Sequence, residues 1–456
     1  MVGQTWRPNT PMHAADHRSV ADFPAPVPVV VPRAATSGFR ALIMGLALAW
    51  TLVPPAGLLP WSQPAVAGEV RFEQDFDGGS LLLEQSRIEG DTIYLEGRDN
   101  YNRGRWKWIY FSMTGVEGRE LEFQIGNHFA TGPGRLDRLR FVYSDDQVRW
   151  HFFDHTDHDR DAGVYRFSKG GPFASDRVWV AFSMPYPVSR VADLVAFLRH
   201  NDHVFPTASS DHRLVLGQSP GGTDDVGRAI PPQDIYGFLL TDGGVADDKD
   251  KVVIVSGVHA NETPAGHVTE GLLLFLAGDS PEAVEMRRAA EFYVYPMVNP
   301  DGRYAGYNRG GVQHPRRDTN RFWHEELYAD MPDIQLVGEA MKRDTAGSEV
   351  TFFLDFHSWS DTGHHFVIAE ASLRDTAFWQ ALTGHEPDMR LRTSRFGDEE
   401  ALRQAGRSSW FAALRLGARH AMIPETMFRP GEDSARYRRM GRAFGLALHA
   451  DLVGER

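Results

Sequence analysis

The 456-residue sequence predicts an α/β domain with a mostly parallel mixed sheet flanked by helices over residues 206–456, preceded by an antiparallel β-sandwich over residues 68–205. Three observations predict this. Continuous apolar, β-branched runs at Val252–Val258, Phe292–Val298 and Val350–Phe356 alternate with helix-like stretches, the pattern of strands buried on both faces of a sheet. Between 68 and 205 the chain instead breaks into short β-branched and aromatic runs punctuated by Gly, Asp and Asn. Hydrophobic residues make up 42% and charged residues 24%, a soluble globular composition. The net charge of −13 argues against a non-specific grip on nucleic acid or on an anionic membrane.

The chain opens with a segment, 1–67, unlike the rest. Arg40 is followed by an apolar run from Ala41 to Trp61, interrupted by Pro54 and Pro55, and then by Ala65-Val66-Ala67. A basic flank, an apolar core and a small-residue site predict a cleaved signal and an exported, periplasmic or extracellular protein. Cleavage leaves no stable membrane association. The alternative is an uncleaved anchor, which a run of about 20 residues permits, or a cytoplasmic chain if the segment is not a signal.

Strands of the sandwich are expected at Asp91–Leu95, Trp106–Met113, Glu120–Gly126, Arg138–Tyr143, Val148–Phe153 and Val178–Ser183, closed by a helix at Val188–Arg199. The acidic and His-rich stretch 154–161 reads as a solvated loop or a weak cation site. In the second domain the first buried run leads to a helix at Ala265–Leu276, the second to a Gly- and Arg-rich loop over 299–322 and a helix near 331–343. A last helix is expected at Ser434–Leu448, with Tyr437, Met440, Phe444 and Leu448 at helical spacing.

There are no cysteines and 19 histidines, so a metal site here must be built from His, Asp and Glu. The first buried strand runs into Gly257-Val258-His259-Ala260-Asn261-Glu262, and the third ends in Asp355-Phe356-His357. Loops at the carboxyl ends of parallel strands are where such folds place their sites. Two imidazoles and a carboxylate delivered there form the His₂Glu set of a catalytic zinc. Two hydrogen-bonded histidines at a sheet rim are the alternative. Likewise, Asn299-Pro300-Asp301-Gly302 is by itself a turn sequence.

Taken in order, His259-x-x-Glu262, Asn299-Pro300-Asp301-Gly302, Arg309, Asp318-Thr319-Asn320-Arg321, the strand-end His357 with its Ser-containing loop, and Glu425 resemble the zinc carboxypeptidase family. The resemblance is closest to the branch of cytosolic carboxypeptidases, which carry a β-sandwich ahead of the catalytic domain. Trp108-Ile109-Tyr110-Phe111 and Ala181-Phe182-Ser183-Met184-Pro185-Tyr186 resemble motifs of that sandwich.

The resemblance implies one Zn²⁺ per chain on His259, Glu262 and His357, with Asp318 orienting His259. It implies Glu425 as general base and acid, Arg309 beside the scissile carbonyl, and Asn320 and Arg321 on the substrate's terminal carboxylate. Arg407 falls near the position that reads an acidic side chain. The implied substrate is a peptide or protein C-terminus.

The sequence departs from that branch in several places. His-Ala-Asn-Glu stands where the branch has Pro-Gly between the ligands, Asp-Thr-Asn-Arg replaces Asp-Leu-Asn-Arg, and the spacing from Arg309 to Asp318 is longer. Ser358-Trp359-Ser360 is closer to the digestive carboxypeptidases, and Pro424 adjoins the general base. Two other readings compete. One is a zinc amidohydrolase acting on N-acyl amino acids or on peptidoglycan stem peptides. The other is a binding protein on the same scaffold.

Overall fold

A computed structural model describes residues 69–100, 108–126, 140–245, 248–359 and 363–454. The segment read as a signal or anchor, 1–67, lies outside the described residues. Among the described residues no helix is long and apolar enough to cross a membrane. The described residues cluster as one unit.

Among the described residues eight strands form the main sheet, in the order Val204–Pro206, Phe238–Leu240, Ala290–Tyr295, Asp250–Ser256, Val350–Trp359, His420–Met427, Phe366–Ala369 and Arg390–Thr393. The central four run parallel. Strand Asp250–Ser256 shows why its run is apolar throughout. Val252 and Ile254 enter one core with Val268, Leu272 and Phe444. Val253 and Val255 enter a second core with Ile334, Val337 and Phe411. Successive side chains of a strand point to opposite faces, so a strand covered on both faces has no polar alternation.

Helices Thr263–Leu276 and Ser434–Leu452 lie together over the first of these cores. Their approach is set by glycine: a Cβ on Gly441 would come within 2.0 Å of the Val268 carbonyl oxygen, and one on Gly271 within 2.1 Å of that of Arg438. Helices Pro332–Asp344 and Ser408–Arg415 contribute to the second core.

Toward the N-terminus the described residues form two five-stranded sheets. The first, containing Tyr110–Thr114 and Val178–Ala181, is antiparallel throughout. The second departs from the expected antiparallel pattern at one pair, Thr92–Leu95 beside Glu122–Ile125, which is parallel. Phe141, next to a strand of the first sheet, stacks on Phe167 of the second at 4.4 Å between ring centroids. The stretch 154–161 is not the loop expected from its polarity. His155–Asp159 is an edge strand paired with Val164–Ser168, and Asp157 meets Arg166 across the pair at 3.3 Å. A sheet edge tolerates charge that an interior strand does not, which polarity alone does not reveal.

Residues 74–100 also brace the loop that follows strand Ala290–Tyr295. The Gly78 N–H donates to the Tyr304 carbonyl at 2.9 Å. The buried Arg98 donates to the Ala305 carbonyl at 2.8 Å and pairs with Asp224 at 3.1 Å. The Asn100 side-chain oxygen accepts the Asn308 backbone N–H at 3.2 Å and its side-chain amide as well.

Candidate metal centre

Strand Asp250–Ser256 delivers its loop through Gly257, which sits at φ +68°, a left-handed conformation that glycine adopts without strain. His259 and Glu262 follow, Glu262 at the N-cap of helix Thr263–Leu276 with Pro264 in its first turn. Strand Val350–Trp359 delivers Asp355 and His357, two apart and so on one face. The Ser358 hydroxyl accepts the Ala265 N–H at 2.8 Å, satisfying one donor of the helix's first turn. The loop over 299–322 folds back over both. Asn299 caps the short helix Pro300–Tyr304 and donates to the Gly310 carbonyl at 3.0 Å. The Thr319 hydroxyl reaches the Val258 and Arg309 carbonyls at 2.6 and 2.8 Å. Thus the Asn-Pro-Asp-Gly motif shapes the loop while its side chains stay off the centre.

The three predicted ligands converge. His259, Glu262 and His357 are buried and each offers a ligand atom within 4.8 Å of the others. Nδ1 of His259 lies 2.9 Å from one Glu262 oxygen and Nδ1 of His357 lies 2.8 Å from the other. The far nitrogen of each ring meets a carboxylate: Nε2 of His259 is 2.8 Å from Asp318, and Nε2 of His357 is 2.8 Å from Asp355. A carboxylate there holds the proton on Nε2 and leaves Nδ1 to face the other donors, the arrangement that metal-binding imidazoles require. The donor set therefore fits a divalent zinc-type ion. Burial would raise the Glu262 pKa, but His259 and His357 outweigh it and hold the carboxyl well below its usual range. Burial would lower His357, but Asp355 and Glu262 raise it well above the usual value. Against its own burial, Asp318 is held low by His259, Arg309 and Arg321.

The remaining predicted residues surround this cluster. Arg309 lies 3.0 and 2.9 Å from the ring nitrogens of His259, 3.3 Å from Asp318 and 3.4 Å from Glu262, with its guanidinium 5.7 Å from the Trp359 ring. Asn320 is buried, its amide nitrogen 3.4 Å from Nε2 of His357 and its oxygen accepting the Ser408 N–H at 2.9 Å. Arg321 is half-exposed and donates to the Asn320 carbonyl at 2.5 Å. Arg407 packs over Trp410 at 5.4 Å. Burial and the nearby Arg321 charge depress its pKa, and Asp318 opposes them. Glu425 is buried directly beside His357, the two being register partners on adjacent parallel strands. Pro424 is in that same strand, opposite Val367. The ladder to Val350–Trp359 skips Ile423 and Pro424 and resumes at Glu425. A proline has no N–H to give to a ladder.

Sequence reasoning missed Asp355 and Ser408, whose hydroxyl donates to Asp355. A signal for Asp355 existed, since a carboxylate two residues before a strand-end His shares its face. His365 is buried and accepts the Met427 N–H at 3.0 Å, whereas His364 is exposed beside Asp388.

Residues 223–362 match the zinc carboxypeptidase family. The chain is 29% identical to cytosolic carboxypeptidase 2 of Danio rerio over 390 residues, 78% of this chain and 51% of that one. It is 28% identical to cytosolic carboxypeptidase 6 of Homo sapiens over 376 residues, 75% of this chain and 68% of that one. It thus spans about half to two thirds of the length of these relatives. A solved metallo-carboxypeptidase from Burkholderia cenocepacia shares the fold, with a TM-score of 0.67 at 22% identity over 83% of this chain and 97% of that one. These relatives overturn the expectation of export: proteins similar over most of this chain are named cytosolic. A basic flank, an apolar run and an A-x-A triplet are a compositional pattern that carries no proof of cleavage.

Proposed function

The chain carries a zinc carboxypeptidase domain, and on that premise we propose that it is a metallocarboxypeptidase releasing the C-terminal residue of peptides or proteins. The observation that carries this reading is the convergence of His259, Glu262 and His357 with a carboxylate behind each imidazole. These three residues would hold one zinc. Bound zinc supplies Lewis acidity that makes water a usable nucleophile near neutral pH.

Glu425, in register beside His357, takes the proton of the attacking water and hands it to the leaving amine. Arg309 faces the carbonyl oxygen where negative charge develops. Asn320 and Arg321 hold the substrate's terminal carboxylate, which a planar guanidinium suits and an internal peptide bond does not offer. Arg407, close enough to Arg321 for their charges to repel, favours an acidic final side chain. Residues 68–205 act as an accessory β-sandwich, a reading supported by the rings stacked between the two N-terminal sheets. The names of the relatives support a cytoplasmic setting.

The test is zinc content and hydrolysis of a C-terminally diverse peptide library by the full chain, beside Glu425→Gln. Expected are one zinc per chain and release of single terminal residues, with release lost and zinc kept in the variant. Zinc without cleavage of any peptide, but with hydrolysis of N-acyl amino acids, would replace this reading by a deacylase. Failure to bind zinc would remove the enzymatic reading altogether.

A further inference from the structure

Resting on the metallocarboxypeptidase reading, we infer that Ser408 is a positioning residue: its hydroxyl fixes the ligand His357 through Asp355, while its backbone N–H holds Asn320. One turn of chain thereby ties the metal centre to the residue that would receive the substrate's carboxylate.

Ser408 is the first residue of helix Ser408–Arg415 and is fully buried. Its Oγ–H donates to Oδ2 of Asp355, the same oxygen that receives Nε2–H of His357 at 2.8 Å. Among the described residues the other oxygen of Asp355, Oδ1, is buried without a hydrogen-bond partner. Two donors on one oxygen decide which edge of the carboxylate faces the imidazole. With the hydroxyl removed, His357 alone would hold a group otherwise free to rotate. The turn leading to Ser408 is itself locked. Gly406 adopts φ +53°, a Cβ there would lie 2.2 Å from the Arg321 carbonyl oxygen, and the Trp323 N–H donates to the Gly406 carbonyl at 3.0 Å. From this fixed point the Ser408 N–H reaches the Asn320 oxygen at 2.9 Å, and the Asn320 amide sits 3.4 Å from the same His357 nitrogen. Ser408 thus touches both Asp355, the partner of His357, and Asn320. Partners that orient metal ligands commonly carry tenfold or greater effects on metal affinity.

The test measures zinc affinity of the full chain by competition with a chelating dye, for wild type, Ser408→Ala, Asp355→Asn and the double variant. Asp355→Asn is expected to weaken zinc binding about 10–100-fold. Ser408→Ala should weaken it by roughly three- to tenfold, because one hydrogen bond to a charged acceptor is lost one step from the ligand. In the Asp355→Asn background the Ser408→Ala effect should shrink, since the neutral amide oxygen is a weaker acceptor and residues acting through one another are not additive. The visible absorption of the Co²⁺-loaded protein should shift in Ser408→Ala, while the melting temperature of the metal-free protein shows that the variant folds. Wild-type zinc affinity in Ser408→Ala, or an equal loss in both backgrounds, would overturn the inference and leave the enzyme reading intact. A wild type that takes up no zinc would instead defeat the reading beneath it.

Discussion

Replacing Asp318 with Asn tests whether the carboxylate behind His259 is part of a metal site or merely a loop contact. Asp318 lies 2.8 Å from Nε2 of His259, and its second oxygen lies 3.3 Å from Arg309 and 3.7 Å from Arg321. The amide oxygen of Asn can still accept the imidazole proton, so the change removes charge with little change of shape. A hydrogen bond to a charged group contributes about 1.5–3 kcal/mol and a neutral one about 0.5–1.5, a difference of roughly 1–1.5 kcal/mol. At 1.36 kcal/mol per decade that is about tenfold in zinc affinity, the lower end of what such partners typically contribute. The assay is chelator competition, with thermal melts at several zinc concentrations as a second readout, because a ligand stabilises the folded chain by an amount that grows with the logarithm of its concentration relative to its Kd. Zinc affinity within twofold of wild type, in a variant that melts normally without metal, would refute the argument that the charge of Asp318 strengthens His259 as a ligand.

Arg321→Lys keeps the charge but loses the fork, so KM for peptides should rise on the order of tenfold with zinc affinity unchanged, as steady-state kinetics would show. Gly441→Ala drives a methyl into the Val268 carbonyl across the two packed helices. Overpacking of this kind costs about 1–3 kcal/mol, and a backbone obstacle places it at the upper end, read from urea unfolding. Against burial, Arg415 at 3.0 Å and Lys342 at 3.1 Å hold the Glu325 carboxyl at about 2, below its ordinary 4.5. A depressed carboxylate stabilises the fold above its unfolded pKa and loses that contribution as pH falls through the folded one. Glu325→Gln should therefore cost about 1 kcal/mol or less at pH 7, given partial solvent screening, a cost that fades as the pH falls through about 2 and is gone only well below it.

The cluster suited to a metal was legible because buried strands announce themselves and their carboxyl ends are where loops can gather side chains. Val252–Val258 and Val350–Phe356 located His259, Glu262 and His357 in this way. Glu425 was legible only through family resemblance; its register beside His357 is a sheet contact that no local pattern encodes. Asp355 could have been found by strand periodicity, but Ser408 could not. It meets Asp355 only because the 406–408 turn packs on the loop carrying Arg321. The same distinction explains the misreading of 154–161, whose polarity marks an edge and does not distinguish a loop from a strand.

The bracing of the 304–308 loop by Gly78, Arg98 and Asn100 bears on how this protein is inherited. Arg309 follows directly on Asn308, whose backbone and side chain are both held by a residue some two hundred positions earlier. A recombination event or an expression plasmid that carried only residues 206–456 would bring along every proposed ligand and still leave that wall missing. Residues 74–100 are therefore no exchangeable passenger: a homologous replacement that altered Gly78, Arg98 or Asn100 would be felt in the loop that leads into Arg309.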